Sequence, residues 1–215
     1  MNLEQARFNM VEQQIRPWDV LDPKVLDLFM AIPRHEFVSE SQQALAYSDL
    51  ELPIGEAQTM LPPRIEGRML QAVDIEKDET VLEIGTGSGY MTALMASAAQ
   101  SVTTVEIFPS LQATAKSRLA HFNNIDFVIG DASQNWDDGK SYDVIVLTGA
   151  VAELPDAYKN KLNLGGRLVV TVGKAPNMTC QVLTRVSHTE WETETLFETV
   201  IPSLINAEAK ETFSF

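Results

Sequence analysis

The chain alternates short apolar runs with stretches in which apolar residues recur every three or four positions. Runs of the first kind are typical of buried strands, and repeats of the second kind are typical of helices. Strands that alternate with helices indicate βαβ units, which build a mostly parallel sheet with helices on both faces. The strands are predicted at Thr80–Ile84, 101–107, Ile125–Ile129, Tyr142–Leu147 and 167–172, and the helices at about 65–73, 91–99 and 110–122.

The two ends of the chain differ from this central pattern. Apolar residues at helical spacing predict one helix before Pro17 and a second over about 23–32, and proline-rich loops follow. β-branched, alternating positions predict antiparallel edge strands at about 181–186 and 192–200. We therefore predict a single domain of the α/β, Rossmann-like class. Its three parts are an N-terminal helical extension, a central core and C-terminal strands, at 1–68, 69–173 and 174–215.

The composition of the chain excludes some classes of binding partner but says little about the fold. The 215 residues include 16 Lys and Arg against 30 Asp and Glu, which gives a net charge of −14. Such a surface repels phosphate backbones and anionic lipid, so we expect neither nucleic-acid binding nor membrane attachment. The single cysteine, Cys180, allows no intrachain disulfide, and the polar N-terminus lacks the apolar run of a signal peptide. A cytoplasmic location is the expectation.

The most specific local signal is a glycine-rich turn after the first core strand. Three glycines spaced by one residue, in Gly85-Thr86-Gly87-Ser88-Gly89, lead from that strand into a helix. Such a turn lets the backbone approach a ligand at the carboxyl edge of the sheet.

A nicotinamide dehydrogenase is disfavoured, because its G-x-G-x-x-G spacing is absent and the carboxylate of Glu83 would repel a pyrophosphate. We expect Glu83 to suit a cationic ligand such as an amino group. The turn resembles motif I of class I methyltransferases, which implies S-adenosyl-L-methionine as the cofactor.

Residues after the next three strands extend this candidate cofactor site. Glu106 ends the second strand, where a carboxylate can accept both hydroxyls of a ribose. Asp131 and Ala132 follow the third strand, in the place where the methyltransferase family accepts the adenine amino group; the alternative for Asp131 is a turn-forming role. Thr148 follows the fourth strand, in a segment that resembles motif II. His35, His121 and His188 show no metal-ligand spacing, so no metal site is expected.

A narrower resemblance covers most of residues 9–173. Several segments are similar to the signature of protein-L-isoaspartate O-methyltransferases: 10–16, 32–38, 46–47, Leu52–Gly55, 83–90 and 142–150. The resemblance implies a carboxyl O-methyltransferase that methylates the free carboxylate of L-isoaspartyl residues in damaged proteins. The ester then collapses to a succinimide, which reopens partly to normal aspartate. The implied partner is a protein or peptide, or a small carboxylate acceptor.

The chain departs from the family in one loop, which reads Gln-Thr-Met-Leu-Pro-Pro at 58–63. The functional serine of the family falls on Leu61, which cannot donate a hydrogen bond. Thr59 keeps a hydroxyl in this loop, and the guanidinium of Arg64 can hold a carboxylate bidentately. Our hypothesis is that one of the two orients an acidic acceptor, the alternative for Arg64 being a surface residue at a helix start.

Three functional classes therefore stay open. The first is isoaspartyl methylation, and the second is a divergent family member that methylates another acceptor, favoured by Leu61 and Pro62. The third is a non-catalytic module that binds the cofactor. The sequence specifies neither the acceptor nor the oligomeric state.

Overall fold

The computed structural model describes residues 2–207, which form one seven-stranded sheet, a separate two-stranded hairpin and six α-helices. The helices are α1 Leu3–Met10, α2 Pro23–Ala31, α3 Pro63–Val73, α4 Tyr90–Ala98, α5 Pro109–Arg118 and α6 Asp156–Lys161. The strands are β1 Leu52–Gly55, β2 Gln58–Met60, β3 Thr80–Ile84, β4 Ser101–Glu106, β5 Ile125–Ile129, β6 Tyr142–Leu147, β7 Leu162–Lys174, β8 Asn177–Arg185 and β9 Trp191–Glu198.

The large sheet has the order β5-β4-β3-β6-β7-β8-β9. The strands from β5 to β7 run parallel to their neighbours, and β8 and β9 are added antiparallel at one edge. The predicted α/β, Rossmann-like fold with antiparallel strands near the end of the chain is therefore confirmed. The chain moves outward from β3 through β4 to β5, and then returns to the other side of β3 at β6. Such a reversal leaves a crevice at the carboxyl ends of β3 and β6.

Both faces of the sheet are buried, which explains why its central strands are mainly apolar. Along β6, Val144 and Val146 pack into one core with α1 to α4, whereas Ile145 and Leu147 pack into a second core with Tyr158 of α6. Alternate residues of a strand point to opposite faces, so the run of four apolar positions at 144–147 supplies both cores.

The N-terminal part carries more structure than the sequence predicts. The helix α1 continues into a π-helical turn and a 3-10 turn, which ends just after Pro17. The loop-rich stretch contains the hairpin of β1 and β2, which positive φ angles at Gly55, Glu56 and Ala57 turn back on itself. Pro53 lies within β1, and a proline in so short a strand gave no strand signal.

The C-terminal segment after β9 returns across the carboxyl edge of the sheet. The backbone N–H of Ala150 donates to the carbonyl of Pro202 over 2.9 Å, and the N–H of Leu204 donates back to Ala150 over 2.9 Å. These bonds place residues 202–206 above β3 and β6. The rest of the predicted C-terminal strand region, 208–215, lies outside the described residues. None of the helices within 2–207 is long and apolar enough to cross a bilayer.

Candidate functional site

Two adjoining cavities lie where the strand order reverses. The outer cavity encloses about 670 Å³ and the inner cavity about 330 Å³, and they share Thr59, Leu61, Gly85, Gly87 and Thr148 in their walls. The outer cavity follows the ends of β4 and β5, whereas the inner cavity extends beneath the loop of β2 towards α3.

The glycine turn forms the floor between the two cavities. Gly85 has φ +96° and Gly87 has φ +53°, in the left-handed region that glycine adopts without strain. A Cβ on Gly85 would lie 2.4 Å from Oγ1 of Thr148, so a side chain here cannot be accommodated. Thr86 and Ser88 line the inner cavity. Gly89 lines neither cavity; it caps the N-terminus of α4 and lies against Ala115.

Glu106 holds its carboxylate at the wall of the outer cavity. One oxygen accepts a hydrogen bond from the backbone N–H of Gly87 over 2.8 Å, and the other accepts one from Phe108 over 3.1 Å. Each carboxylate oxygen has a further lone pair, so both can accept a second bond. The geometry fits the predicted bond to two ribose hydroxyls, with the carboxylate already oriented by the backbone.

Asp131 provides a second fixed acceptor in the outer cavity. Its oxygens accept from the backbone N–H of Ser133 over 3.0 Å and from the side-chain amide of Asn206 over 2.8 Å. The Ser133 N–H lowers the pKa of Asp131 below its usual range. Ala132 is buried beside it, with its carbonyl bonded to the hydroxyl of Tyr158. Asp131 therefore presents a charged acceptor where the sequence predicts the adenine amino group.

Thr148 supports the glycine turn from the end of β6. Its hydroxyl donates to the carbonyls of Gly85 over 2.7 Å and Ile84 over 3.0 Å. The proton of this hydroxyl is thus committed to the turn, although the side chain borders both cavities. The role that fits this geometry is to hold Gly85 in place.

The structure corrects the expected role of Glu83. This side chain is fully buried and lines neither cavity. One carboxyl oxygen accepts from the hydroxyls of Thr92 over 2.5 Å and Thr104 over 2.6 Å, and the other has no partner among the described residues. Burial raises the pKa of Glu83 to about 8, so the group is mostly protonated at neutral pH. It braces the turn from below, and it is not placed at the wall of either cavity.

The two candidate acceptor residues are separated by the fold. Thr59 lines both cavities, and its hydroxyl donates to Glu51 over 3.2 Å. Arg64 points away from them: its guanidinium pairs with Asp49 and lies 4.4 Å from the centre of the Trp18 ring. The structure therefore does not bring Arg64 to the cavities, because its side chain is bound to Asp49 and Trp18.

Sequence reasoning missed the buried ion pair of Arg34 and Glu66. Both side chains are almost completely inaccessible, and Arg34 also donates to the carbonyl of Leu61. Burial raises the pKa of Glu66 to about 7, although the adjacent Arg34 opposes that shift. Glu66 borders the inner cavity. The available signal was its position on α3, where a charged residue falls in register with the buried Met69, Leu70 and Val73.

Comparison with known proteins identifies the family of this chain. A family model described as "Protein-L-isoaspartate(D-aspartate) O-methyltransferase (PCMT)" matches residues 5–207. The chain belongs to this family. The resemblance predicted from the sequence is thus confirmed.

Protein-L-isoaspartate O-methyltransferases from several organisms resemble the chain over most of its length. That of Geobacter metallireducens is 39% identical over 192 residues, which is 88% of this chain and 88% of the relative. That of Picosynechococcus is 43% identical over 169 residues, which is 78% of this chain and 76% of the relative. A match of this extent includes both the N-terminal part and the core.

Two solved structures share the fold. A protein-L-isoaspartate O-methyltransferase superposes with a TM-score of 0.80 at 25% identity, over 92% of this chain and 65% of the other chain. A putative enzyme of the same name from Plasmodium falciparum was solved in complex with S-adenosyl-L-homocysteine. It superposes with a TM-score of 0.79 at 17% sequence identity, over 95% of this chain and 98% of the other chain. The second likeness concerns the fold alone.

The position of the functional serine of this family lies at the junction of the two cavities. Leu61 fills that position, is 6% exposed and borders both cavities. Its backbone carbonyl is fixed by Arg34. The loop therefore presents an apolar wall where the family presents a hydroxyl, with Thr59 as the neighbouring hydroxyl.

Proposed function

We propose that this chain transfers the methyl group of S-adenosyl-L-methionine to the free carboxylate of L-isoaspartyl residues in damaged proteins. The observation that carries the proposal is the outer cavity, in which Glu106 and Asp131 present two fixed acceptors beside the glycine turn. The methyl ester then collapses to a succinimide, which reopens partly to normal aspartate and so repairs the protein.

The residues of the outer cavity fit the nucleoside of this cofactor. Glu106 would hold the ribose hydroxyls, and Asp131 with Ala132 would hold the adenine. The turn from Gly85 to Ser88, which Thr148 braces, would lie against the remaining part of the cofactor. When bound, the cofactor supplies an electrophilic methyl group on a sulfonium.

The acceptor needs little acid–base assistance from the protein. A carboxylate with a pKa of about 4 is already ionised at neutral pH, so the chain has to bind it, orient it and exclude water. Thr59 places a hydroxyl at the border of both cavities, where it can donate to an acceptor oxygen when it exchanges its hydrogen bond to Glu51 for one to the acceptor. Leu61 shields the same border from solvent. The cytoplasmic location and the lack of nucleic-acid binding, both expected from composition, stay predictions.

A transfer assay with labelled S-adenosyl-L-methionine tests this function. We expect a base-labile methyl ester on an L-isoaspartyl peptide and none on the same peptide with normal aspartate. Thr59→Val removes the hydroxyl at nearly constant volume and should lower kcat/KM about tenfold. Thr189→Val, in an exposed loop, is the matched control and should leave kcat/KM unchanged.

A second candidate, methylation of a different carboxylate acceptor, is favoured by the apolar wall at Leu61. It predicts that the wild-type protein binds the cofactor but leaves the isoaspartyl peptide unmodified. Leu61→Ser combined with Pro62→Gln should then create isoaspartyl transfer, because it restores the hydroxyl and the amide of the family loop. Cofactor binding without transfer to any acceptor, in either protein, would instead indicate a non-catalytic module.

A further inference from the structure

The inner cavity is lined by one ionisable side chain among the described residues, that of Glu66. The other walls are apolar groups, hydroxyls and the backbone of the glycine turn. A carboxyl group that is 3% exposed and faces a cavity is costly to maintain, since its solvation by water is lost. Such a group is a candidate for recognition of a ligand with a complementary charge.

The ion pair leaves one oxygen of this carboxylate available. Oε2 of Glu66 is bonded to Arg34, and within residues 2–207 no protein group donates to Oε1. Arg34 uses one terminal nitrogen for Glu66 and the other for the carbonyl of Leu61, and its side chain lines neither cavity. The pair therefore presents a carboxyl oxygen of Glu66, and no cation, to the inner cavity, and a cationic ligand there would favour the ionised form of this carboxyl group.

The sheet order sets the direction in which a bound nucleoside extends. Asp131 follows β5, Glu106 ends β4, and the glycine turn follows β3, so these three positions lie in sequence along the carboxyl edge. A nucleoside held by Asp131 and Glu106 has its 5′ substituent directed over the turn. The inner cavity, with Glu66 in its wall, lies on that side.

We infer that Glu66 binds the ammonium group of the methionine part of the cofactor, and that Arg34 is the positioning residue that fixes this carboxylate. The inference rests on the proposed function, because it requires the nucleoside to occupy the outer cavity. A carboxylate oxygen with a free lone pair bonds an ammonium group with charge assistance. It does not bond a carboxylate, so it distinguishes the two charged groups of an amino acid.

Calorimetric titration of Glu66→Gln with three ligands tests this assignment. S-adenosyl-L-homocysteine carries the ammonium and the carboxylate, S-adenosyl-3-thiopropylamine carries the amine alone, and 5′-methylthioadenosine carries neither. We expect the variant to bind the first two at least about tenfold more weakly than wild type, and methylthioadenosine equally well. Glu106→Gln is the control for nucleoside contacts and should weaken all three ligands.

Other outcomes would overturn the inference separately from the proposed function. An equal loss for all three ligands in Glu66→Gln means a structural role, and a loss for S-adenosyl-L-homocysteine alone means recognition of the carboxylate. Should Glu66→Gln fail to fold with Arg34 unpaired, the double variant Arg34→Met/Glu66→Met removes both charges and should show the same selective loss. If wild type binds none of the ligands, the proposed function fails with it.

Discussion

At the scale of single residues, Glu83 joins three elements beneath the glycine turn. The carboxyl group belongs to β3 and accepts hydrogen bonds from Thr92 of α4 and Thr104 of β4. The hydroxyl of Thr104 also lies 2.6 Å from that of Thr86 in the turn. This chain of buried polar groups explains how a carboxyl without a cationic partner contributes to the site: it fixes the turn, and it does so in its neutral form.

The raised pKa of Glu83 predicts a specific dependence of stability on pH. In the unfolded chain the group titrates near 4.5, and in the folded protein near 8. Between these values the folded state retains a proton that the unfolded state has lost, so the free energy of unfolding falls as pH rises. Relative to Glu83→Gln, which is neutral throughout, wild type should lose roughly 4 kcal/mol between about pH 5 and pH 8.5. Urea unfolding of both proteins across this range measures the difference, and parallel profiles would contradict the assignment.

How well single residues could be predicted depends on what fixes their side chains. Glu106 and Asp131 come directly after strands, and the ends of parallel strands meet at one edge, so sequence places them near the cavity. Arg34 and Glu66 meet only because α3 packs beneath the N-terminal segment, which no local pattern reveals. The position of Arg64 was not predicted because its neighbours Asp49 and Trp18 are brought to it by tertiary packing.

At the scale of elements, the turn between β3 and α4 depends on the absence of side chains at its glycines. The turn was predicted from sequence because its spacing is local and its φ angles exclude other residues. The hairpin of β1 and β2 and the path of residues 202–206 were not predicted. They are held by contacts between distant parts of the chain, such as the pairing of Ala150 with Ser203.

Alanine at two glycines with similar backbone angles separates crowding from conformational strain. Gly85→Ala places a Cβ 2.4 Å from Thr148, whereas a Cβ at Gly139, with φ +69°, meets nothing within 4 Å. We expect Gly85→Ala to lower the free energy of unfolding by roughly 3 kcal/mol or more, and Gly139→Ala by about 1 kcal/mol. Urea denaturation provides both values, and equal losses would show that crowding by Thr148 is unimportant.

The C-terminal segment contributes to the wall of the outer cavity through Asn206. Its amide donates to Asp131 over 2.8 Å, which orients the carboxylate predicted to bind adenine. Asn206→Ala should therefore weaken binding of S-adenosyl-L-homocysteine roughly threefold to tenfold, as expected for loss of a bond to a charged group. Asn160→Ala, on the exposed side of α6, serves as the control. Unchanged affinity in Asn206→Ala would mean that Asp131 is held without this contact.

At the scale of the whole molecule, the fold was predictable because the central strands are buried on both faces and most consecutive strands are separated by a helix. That pattern determines a parallel sheet, and the sheet determines where ligands bind. The arrangement of α1, α2 and the segments around them was less accessible to sequence reasoning. These elements pack onto the outside of the first core. The spacing of their apolar residues predicts helices but does not specify how those helices are arranged on the core.

The net charge of −14 predicts a preference among acceptor peptides. A negatively charged protein attracts cationic partners and repels anionic ones over distances that salt shortens. At low ionic strength, a lysine-rich isoaspartyl peptide should give a kcat/KM several-fold above that of a glutamate-rich peptide, and about 0.5 M salt should remove most of the difference. The transfer assay at two salt concentrations measures this ratio. A ratio that is independent of salt would exclude steering by the overall charge.

The central claim is that the cavity at the ends of β3 to β6 binds the cofactor, and direct titration with S-adenosyl-L-homocysteine tests it. The account predicts saturable binding with one site per chain in wild type and in Gly139→Ala. Binding should be strongly weakened in Glu106→Ala, which removes the acceptor for the ribose, and in Gly85→Ala, which displaces the floor of the cavity. Absence of binding to wild type, or full affinity in both site variants, would contradict it.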